Sequence, residues 1–407
     1  MILMQLNSNK ITFLVGNEQI IEEMDRTPAL PPFSEQAVNF LADLSRELVK
    51  TGRGYSDVAT FGFWCRKAAV AQYQKEYTHL SDRLGRGIVF HIAPSNVPVN
   101  FAFTLAAGLL AGNANIVRVP SKDFAQVDVI CRAINKLLGE KHSHMAAYMC
   151  LVKYDHDQEI TDGFSAICHT RVIWGGDQTI YEIRKSPLRP RATEITFADR
   201  YSICAIDADE YLKMEDKQKI AQGFYNDTYF SDQNACTSPR LIAWRGREIA
   251  KAQEEFWGAL EKLVKEQYEL AAVQSVGKLS AFCKLAAEKQ VSLLTDLHDC
   301  YLMRIQVPSL EEDTLEYRYN SGFFMEYTME DFKELLPICT EQCQTLSYLG
   351  IEEREIRNFV AQYRPRGIDR IVPMGTTMDF TLVWDGYDLI ISLSRKIGGT
   401  VSEREAQ

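Results

Sequence analysis

The sequence predicts an α/β protein of two domains, and three observations support that prediction. Strand-like and helix-like runs alternate from Arg86 to Arg184 with the spacing of parallel β–α–β units. After Trp244 helical patterns dominate, and strand-like runs return three times before residue 350. The 407 residues are also enough for two domains of ordinary size.

The N-terminal region precedes this alternation and is expected to hold a strand and two helices. A strand-like run covers residues 11–15, and a proline-rich connector covers 28–32. Ser34 is suited to cap a helix that continues through Leu48, because a serine side chain can accept a hydrogen bond from the first turn. A second helix is expected over residues 57–77.

The remaining elements follow in order along the chain. Strands are expected at 86–92, 114–119, 149–153, 170–174 and 202–206, with helices at 99–110, 124–138, 159–164 and up to 184. Later helices are expected at 247–267 and 275–290, and later strands at 301–307, 321–327 and 345–349. We expect a first domain over 1–215, a second over 216–375, and a C-terminal segment, 376–407, that returns to the first domain or contacts a neighbouring subunit.

Composition and charge narrow the class of protein. Apolar residues make up 46% and charged residues 25%, which is the balance of a soluble globular protein. The formal net charge of −10, without a long basic run, argues against a nucleic-acid surface or an anchor to anionic lipids. The stretch 87–117 lacks charged residues, but its prolines and glycines predict a buried strand, loop and helix instead of a membrane span.

The ten cysteines are scattered and include no CxxC pair, which indicates reduced thiols in a cytoplasmic protein and no metal site. Residues 1–7 lack a basic segment followed by an apolar core, so no export signal is expected. Cys236 lies in a loop of small residues, 231–240, directly before the apolar run 241–244. A thiolate in such a loop could attack a planar electrophile, although burial as a structural cysteine is the commoner outcome.

Two further features could serve either chemistry or structure. Gly175 and Gly176 follow a strand and precede a helix, where glycines let the backbone approach a pyrophosphate or simply form a tight turn. Glu194 lies in an alternating apolar run, where a carboxylate is either ion-paired or kept for chemistry. Arg191 and Arg200 are near in sequence, and the local sequence favours pairing.

Separated motifs together resemble one family. The order Asn96, Glu194, Cys236 resembles the aldehyde dehydrogenase superfamily, and the run 110–118 resembles its cofactor-binding strand. The segments 91–98, 232–240 and 366–373 are more closely similar to the LuxC-type fatty-acyl-CoA reductases, a branch of that superfamily, and the resemblance covers about residues 80–395. It implies an aldehyde-dehydrogenase-like fold, with a Rossmann-type cofactor domain and an α/β catalytic domain that carries Cys236 into the cleft between them.

The resemblance also implies roles for three residues. Cys236 would take the acyl group from a thioester, hydride from NADPH would reduce it, and an aldehyde would leave. The Asn96 amide and the Cys236 backbone N–H would stabilise the oxyanion, and Glu194 would be the general base or a proton relay. The Asn96-to-Glu194 interval is close to the superfamily's, whereas the Glu194-to-Cys236 interval is longer and implies an insertion.

The cofactor preference is predicted from departures from the superfamily pattern. An acidic residue usually holds the ribose hydroxyls after the cofactor strand, but here that position is near Ser121, followed by Lys122, which suits the 2′-phosphate of NADPH. Arg118 replaces the usual lysine and is expected to bind phosphate or ribose. The run 319–322 stands where the superfamily clamps the nicotinamide ribose. The other cofactor-binding residues implied are Pro94, Ser95, Pro120, Gly175 and Gly176.

The substrate implied by the resemblance is acyl-CoA, or an acyl group delivered by a partner acyl-protein synthetase, and the enzyme is expected to be a homo-oligomer. An aldehyde-oxidising, NAD(P)-dependent dehydrogenase is the first alternative, because Glu194 would activate water in such an enzyme. A non-catalytic binding protein is the second, since a fold does not fix a function. His91, His169 and His298 are expected to be structural.

Overall fold

The chain forms two compact units. A computed structural model describes residues 10–95, 97–295 and 300–398. The first unit comprises Met1–Ala198 and Tyr387–Gln407, and the second comprises Asp199–Gly386. The chain therefore leaves the first unit once and returns to it near its C-terminal end.

The first unit is built around a six-stranded sheet. Its strands are β1 (Thr12–Val15), β3 (Ile88–Ile92), β4 (Ala114–Arg118), β5 (Met149–Lys153), β6 (Thr170–Trp174) and β7 (Thr193–Phe197). Its helices are α1 (Glu18–Met24), α2 (Glu35–Thr51), α3 (Ser56–Trp64), α4 (Lys67–Glu76), α5 (Asn100–Leu110), α6 (Ala125–Glu140), α7 (Gln158–Ile167), α8 (Asp177–Arg184) and α14 (Leu389–Ser392). A small sheet pairs β2 (Arg83–Gly85) with β17 (Ser394–Lys396), which ties the C-terminal segment to this unit.

The strand order of the first sheet is β1-β5-β4-β3-β6-β7, and all neighbours are parallel except β1 with β5. Strands β3, β4 and β6 are buried along their whole lengths, as expected for parallel strands covered on both faces. The chain runs outward from β3 to β4 and β5, then returns to place β6 on the other side of β3. Open α/β sheets bind ligands at the carboxyl ends of the strands beside such a reversal.

The second unit is built around a seven-stranded sheet. Its strands are β8 (Tyr201–Asp207), β9 (Pro239–Arg245), β10 (Ser292–Leu293), β11 (Met303–Gln306), β12 (Phe323–Thr328), β13 (Cys343–Leu349) and β14 (Arg370–Pro373). Its helices are α9 (Ala208–Lys213), α10 (Lys217–Asp227), α11 (Ile249–Gln267), α12 (Ala272–Glu288) and α13 (Glu353–Tyr363). Two short strands, β15 (Val383–Trp384) and β16 (Tyr387–Asp388), flank the point where the chain returns to the first unit.

The second sheet has the order β10-β11-β12-β9-β8-β13-β14, and only β10 is antiparallel to its neighbour. Alternate residues of β8 point to opposite faces, so Ile203 and Cys204 enter different apolar clusters. One cluster includes Leu285 of α12, and the other includes Phe224 of α10 and Phe256 of α11. Both faces of the sheet are therefore covered by helices.

Most of the predicted elements are present, and three details differ from the prediction. The helix expected over 57–77 is two helices, because Cys65 ends α3 and Arg66 adopts an extended backbone. Ser34 precedes α2 as expected, but its side chain makes no capping hydrogen bond. The units divide after residues 198 and 386 instead of near 215 and 375, because β8 pairs with β9 and β13 of the second sheet.

Three findings concern the whole described part of the chain. Within residues 10–95, 97–295 and 300–398, no helix is both long enough and apolar enough to cross a membrane. Over the same ranges, no three His, Cys, Asp or Glu side chains come together in a way that could hold a metal ion. The ten cysteines are free thiols.

Candidate active site

Cys236 lies in the loop that leads into β9, at the amino-terminal edge of the second sheet. After α10, the loop begins with a turn of 3-10 helix at Tyr229–Ser231. Asp232 and Gln233 then adopt left-handed backbone angles, with φ values of 52° and 50°. Because residues other than glycine are strained in this conformation, surrounding contacts must hold the turn.

Gln233 is the central support of this loop. Its side chain is buried, and its amide nitrogen donates to the carbonyl oxygens of Pro239 (3.2 Å) and Phe323 (3.4 Å). Its amide oxygen accepts the main-chain N–H groups of Gly322 (2.7 Å) and Phe323 (3.1 Å). Every polar atom of the amide is therefore used to join the cysteine loop to the starts of β9 and β12.

Arg240 braces the far end of the same loop. Its buried guanidinium donates to the carbonyl oxygens of Gln233 and Tyr319 and to Asn320 Oδ1, the last two at 2.6 and 2.7 Å. Burial lowers the pKa of Arg240 to about 10, which leaves it charged at neutral pH. The run 319–322, expected near the nicotinamide ribose, thus supports the cysteine loop.

Asp232 anchors the loop to the elements beside it. Its carboxylate accepts hydrogen bonds from the Tyr268 hydroxyl and from Gln274 Nε2 of α12, the latter at 3.1 Å. Gly322 lets this region close up, because it has φ 85° and a β-carbon there would overlap the Tyr229 hydroxyl. The loop is held from β12, from α12 and from Tyr268.

The Cys236 thiol is partly buried and held on two sides. Its sulfur accepts the main-chain N–H of Arg200, and its carbonyl oxygen accepts the Ser202 hydroxyl at 2.7 Å. Burial raises the pKa of the thiol, the Arg200 N–H lowers it, and the carboxylates of Asp385 and Asp199 raise it again. The free thiol is therefore mainly protonated at neutral pH, and its reactivity depends on these neighbours.

The residues predicted to bind the cofactor lie at the carboxyl-terminal edge of the first sheet. Pro94 and Ser95 follow β3, Pro120, Ser121 and Lys122 follow β4, and Gly175 and Gly176 follow β6. These three strands are neighbours in the sheet, so their loops share one edge. Ser95, Ser121 and Lys122 are exposed, and Gly176 stands at the N-terminus of α8.

Arg118 ends β4, but the residue is only 8% exposed. It stacks on the Tyr154 ring, 4.4 Å from the ring centre, and donates to the carbonyl oxygens of Tyr154 and Asp155 at 3.3 Å. Arg118 therefore braces the loop after β5. Its expected contact with phosphate or ribose stays a prediction.

Glu194 lies in the amino-terminal half of β7, and both of its carboxylate oxygens are engaged. Oε2 accepts Arg171 Nε at 2.8 Å, and Oε1 accepts Arg184 Nε at 2.7 Å. Arg171 is buried on β6, directly beside Glu194 in the strand register. Glu194 is thus ion-paired, and its partners differ from Arg191 and Arg200, the arginines that the sequence suggested.

Two residues that the sequence singled out, Asn96 and His298, lie outside the described residues. His91 is buried against Thr104, with its Nδ1 2.7 Å from the hydroxyl oxygen, and burial lowers the pKa of the ring to about 4. His169 accepts a main-chain N–H from β3 through its Nδ1. His91 and His169 therefore have a structural part within the first unit.

The sequence singled out Cys236 as a candidate but did not indicate most of the side chains that hold its loop. Gln233 and Arg240 lie inside the motif that carried the resemblance, so the length of that motif was a usable signal. Arg200 and Asp385 lie far from Cys236 in sequence. The pairing of β8 with β9 places the residue before β8 beside the loop before β9.

Taken one by one, the two units have the features of the aldehyde-dehydrogenase fold. One unit has a parallel sheet with a strand-order reversal, and the other presents a braced cysteine loop. Residues 27–293 match the family model described as "Acyl-CoA reductase (LuxC)". The chain belongs to this LuxC family, as its motifs predicted.

Curated relatives at this level of similarity bear the name long-chain acyl-protein thioester reductase. The protein of that name from Photorhabdus laumondii is 25% identical over 308 residues, which are 71% of this chain and 58% of the relative. The one from Aliivibrio fischeri is 23% identical over 184 residues, 44% of this chain and 36% of the relative. The chain thus matches less than two thirds of the length of these relatives.

Solved structures of aldehyde dehydrogenases share the fold. An NAD-dependent benzaldehyde dehydrogenase from Corynebacterium glutamicum is similar with a TM-score of 0.60 and 14% identity, over 93% of this chain and 86% of that one. Glyceraldehyde-3-phosphate dehydrogenase GapN from Methanocaldococcus jannaschii, solved with NADP, has a TM-score of 0.61 and 14% identity, over 93% and 90%. The predicted aldehyde-dehydrogenase-like fold is confirmed.

Proposed function

We propose that this chain reduces a long-chain acyl thioester to a fatty aldehyde, through an acyl-enzyme on Cys236 and with NADPH as the hydride donor. Family membership supports the reaction class, and the relatives' name supports a thioester carried by a protein, with acyl-CoA as the simpler donor. The braced loop around Cys236 carries the proposal, because a nucleophile must be held in place to attack a carbonyl group.

The first step exchanges one thioester for another. Cys236 Sγ forms a bond to the acyl carbon, the bond from that carbon to the donor sulfur breaks, and the thiol proton passes to the departing thiolate. The Arg200 N–H supports negative charge on Sγ before the attack. We assign the stabilisation of the carbonyl oxygen, as it becomes negatively charged, to the Asn96 amide and the Cys236 main-chain N–H, as the sequence predicts.

The second step releases the aldehyde. When bound, the reduced nicotinamide supplies a hydride to the acyl carbon. Cys236 holds that carbon in place during the transfer, and its sulfur then leaves as the carbon–sulfur bond breaks. The thiolate takes up one proton, so that thioester, NADPH and a proton give aldehyde, thiol and NADP⁺.

The carboxyl-terminal edge of the first sheet fits a dinucleotide phosphate. Gly176 opens α8 at the strand-order reversal, where main-chain N–H groups at a helix N-terminus suit a pyrophosphate. Lys122 is exposed after β4, where its charge would hold a 2′-phosphate. Arg118 is already engaged with Tyr154, so we give Lys122 the larger part in selecting NADPH.

We assign Glu194 a structural part in place of proton transfer. To act as a base, its carboxylate would have to give up an ion pair with Arg171 or Arg184. Loss of the Arg171 pair would leave a buried guanidinium without its counter-charge, which is costly. An engaged Glu194 also favours a reductase over an aldehyde-oxidising dehydrogenase, which needs a base to activate water.

Acylation and product analysis test this proposal. The protein is incubated with labelled myristoyl-CoA, first without NADPH and then with it, and protein-bound label, free acid and aldehyde are measured. We expect label on Cys236, slow release of acid, and aldehyde once NADPH is added. Cys236→Ala should lower labelling more than about 100-fold, because the nucleophile is lost.

Cys283→Ala is the matched control, because Cys283 is an exposed thiol of the same unit. It should label like the native protein. Rapid release of acid with little aldehyde would indicate an oxidising dehydrogenase or a thioesterase. A folded protein that neither takes up label nor binds NADPH would be a non-catalytic member of the family.

A further inference from the structure

A charged network lies beside Cys236 within the second unit, and the reaction steps above do not account for it. Arg200 precedes β8, and its side chain is 10% exposed. Its guanidinium donates to the Asp369 carboxylate, and to the Cys343 carbonyl oxygen at 3.1 Å. The Asp385 carboxylate lies 3.8 Å from the same guanidinium.

We propose that Arg200 is a positioning residue for the nucleophile: Asp369 fixes its side chain, and this holds the start of β8, where the Ser202 hydroxyl donates to the Cys236 carbonyl oxygen at 2.7 Å, against the cysteine loop. The proposal rests on the assignment of Cys236 as the nucleophile. It gives a function to the segment 366–373, which carried part of the family resemblance without a role of its own.

The turn that presents Asp369 is itself fixed by main-chain contacts. Gly367 N–H donates to the Cys339 carbonyl at 3.2 Å, and Ile368 N–H donates to the Cys343 carbonyl at 2.7 Å. A β-carbon at Gly367 would overlap main-chain carbonyl oxygens in the same place. The Cys343 carbonyl therefore accepts from both Ile368 and Arg200, and it joins the two segments directly.

The Arg200 side chain has a second effect, which is on the balance of charge around the thiol. The charged groups around the site are Asp199 and Arg200 before β8, Arg240 on β9, Asp369 before β14, Arg370 at the start of β14, and Asp385 in the turn 384–386. Asp385 is buried and opposes charge on Cys236, while Arg200 counters the Asp385 charge. Removing Arg200 would leave two carboxylates, Asp369 and Asp385, without this cation.

Alkylation by iodoacetamide across a pH series tests the proposal, since only the thiolate reacts. The rate at Cys236 is followed by peptide mass spectrometry, with exposed Cys283 as the reference in the same molecule. For Arg200→Gln we expect Cys236 to react about tenfold more slowly at pH 7.5, a shift of roughly one pKa unit. Cys283 should be unchanged.

Two further variants separate positioning from general loss of structure. Asp369→Asn should slow the alkylation of Cys236 only about threefold, because the Cys343 carbonyl oxygen still holds the Arg200 side chain in part. Asp385→Asn should act in the opposite direction and speed alkylation, because it removes a carboxylate that opposes the thiolate. Damage to the fold alone would not give opposite signs. Should Arg200→Gln fail to fold, Asp369→Asn and Asp385→Asn decide the question.

Arg245→Gln is the matched control. Arg245 pairs with Asp207 and Glu355 at the opposite, carboxyl-terminal edge of the same sheet. Arg245→Gln therefore removes the same charge and a similar ion pair as Arg200→Gln does. In this variant the rate of Cys236 alkylation should depend on pH as it does in the native protein. An unchanged profile in folded Arg200→Gln, or an equal shift in Arg245→Gln, would overturn the proposal. Because alkylation needs neither an acyl donor nor NADPH, this outcome is independent of whether the reductase proposal holds.

Discussion

The candidate residues of the two units lie at opposite edges of their own sheets. In the first unit, the candidate residues follow β3, β4 and β6, at the carboxyl ends of the strands. In the second, the Cys236 loop precedes β9, at the amino ends. The loops of the first edge carry exposed side chains such as Lys122, whereas the Cys236 loop is braced by buried side chains, including Gln233.

This difference matches the part that we propose for each edge. A cofactor that enters and leaves is served by main-chain N–H groups and helix N-termini, which the carboxyl edge of a parallel sheet supplies without rigid side chains. A covalent nucleophile has to stay within a fraction of an ångström of its reacting position. Side chains from several strands and helices provide that rigidity, as Gln233 and Arg240 do here.

The comparison makes a general prediction. Removing a buried brace leaves polar groups without partners, at a cost of about 1–3 kcal/mol each. Changes around the second edge should therefore lower stability and the reactivity of Cys236 together. Changes at exposed positions of the first edge should alter cofactor affinity and leave stability unchanged.

The largest effect is expected for Gly322→Ala. A β-carbon at φ 85° is strained, and it would overlap the Tyr229 hydroxyl beside the Cys236 loop. We expect a loss of about 4 kcal/mol in the free energy of unfolding, with slower acylation of Cys236. Urea unfolding and acylation assays measure both. Gly258→Ala in α11, where a β-carbon meets open space, should cost nothing.

The second largest effect is expected for Glu194→Gln, which sharpens the comparison within the first unit. The variant leaves buried Arg171 without its carboxylate, which should cost about 3 kcal/mol of stability. Acylation of Cys236 should continue at the native rate. Glu182→Gln, which removes an exposed pair on α8, should have little effect. Native stability together with a large loss of reductase activity would restore Glu194 to a catalytic role.

Asp227→Asn should change how stability depends on pH. Asp227 ends α10 before the Cys236 loop and accepts the Gly375 and Thr377 N–H groups, but burial raises the pKa of its carboxyl to about 6. A raised pKa means that the folded state holds the proton more tightly, so this contribution is present below pH 4 and is lost as the pH rises through 6. Native protein should therefore lose about 2 kcal/mol, relative to Asp227→Asn, between pH 4 and 8.

Unfolding of both proteins in urea across that pH range measures this difference. Asp209→Asn is the control of opposite sign, because the main-chain N–H groups of Glu248 and Arg247 lower the pKa of Asp209. Its contribution is lost as the pH falls. Parallel pH curves for native protein and Asp227→Asn would contradict the prediction.

The smallest effect is expected for Lys122→Glu at the exposed edge. Loss of a contact with the 2′-phosphate should lower the preference for NADPH over NADH by about 1.5 kcal/mol, or roughly tenfold in kcat/KM. The free energy of unfolding should not change, because the side chain is exposed. Lys50→Glu, at the exposed end of α2, should leave the preference as it is. A large loss of stability in Lys122→Glu would break the contrast between the two edges.

The strands of the first sheet could be predicted closely because they are buried on both faces. The bounds predicted for 149–153 and 170–174 match β5 and β6 residue for residue, since each apolar run ends at a turn signal. The helix expected over 57–77 was less predictable, because its apolar spacing continues across the break. Only the backbone at Arg66 shows that α3 and α4 are separate.

By itself, the sequence determined the α/β class, the family and the cysteine loop, because these depend on local periodicity and on a contiguous motif, 232–240. Tertiary structure alone decided which groups contact the side chains of Glu194 and Cys236. Glu194 pairs with Arg171 because β6 and β7 lie in that register, although Arg191 is closer along the chain. Cys236 meets Arg200 because β8 and β9 are neighbours in one sheet. Strand register is fixed by the packing of whole sheets, so no local stretch of sequence contains it.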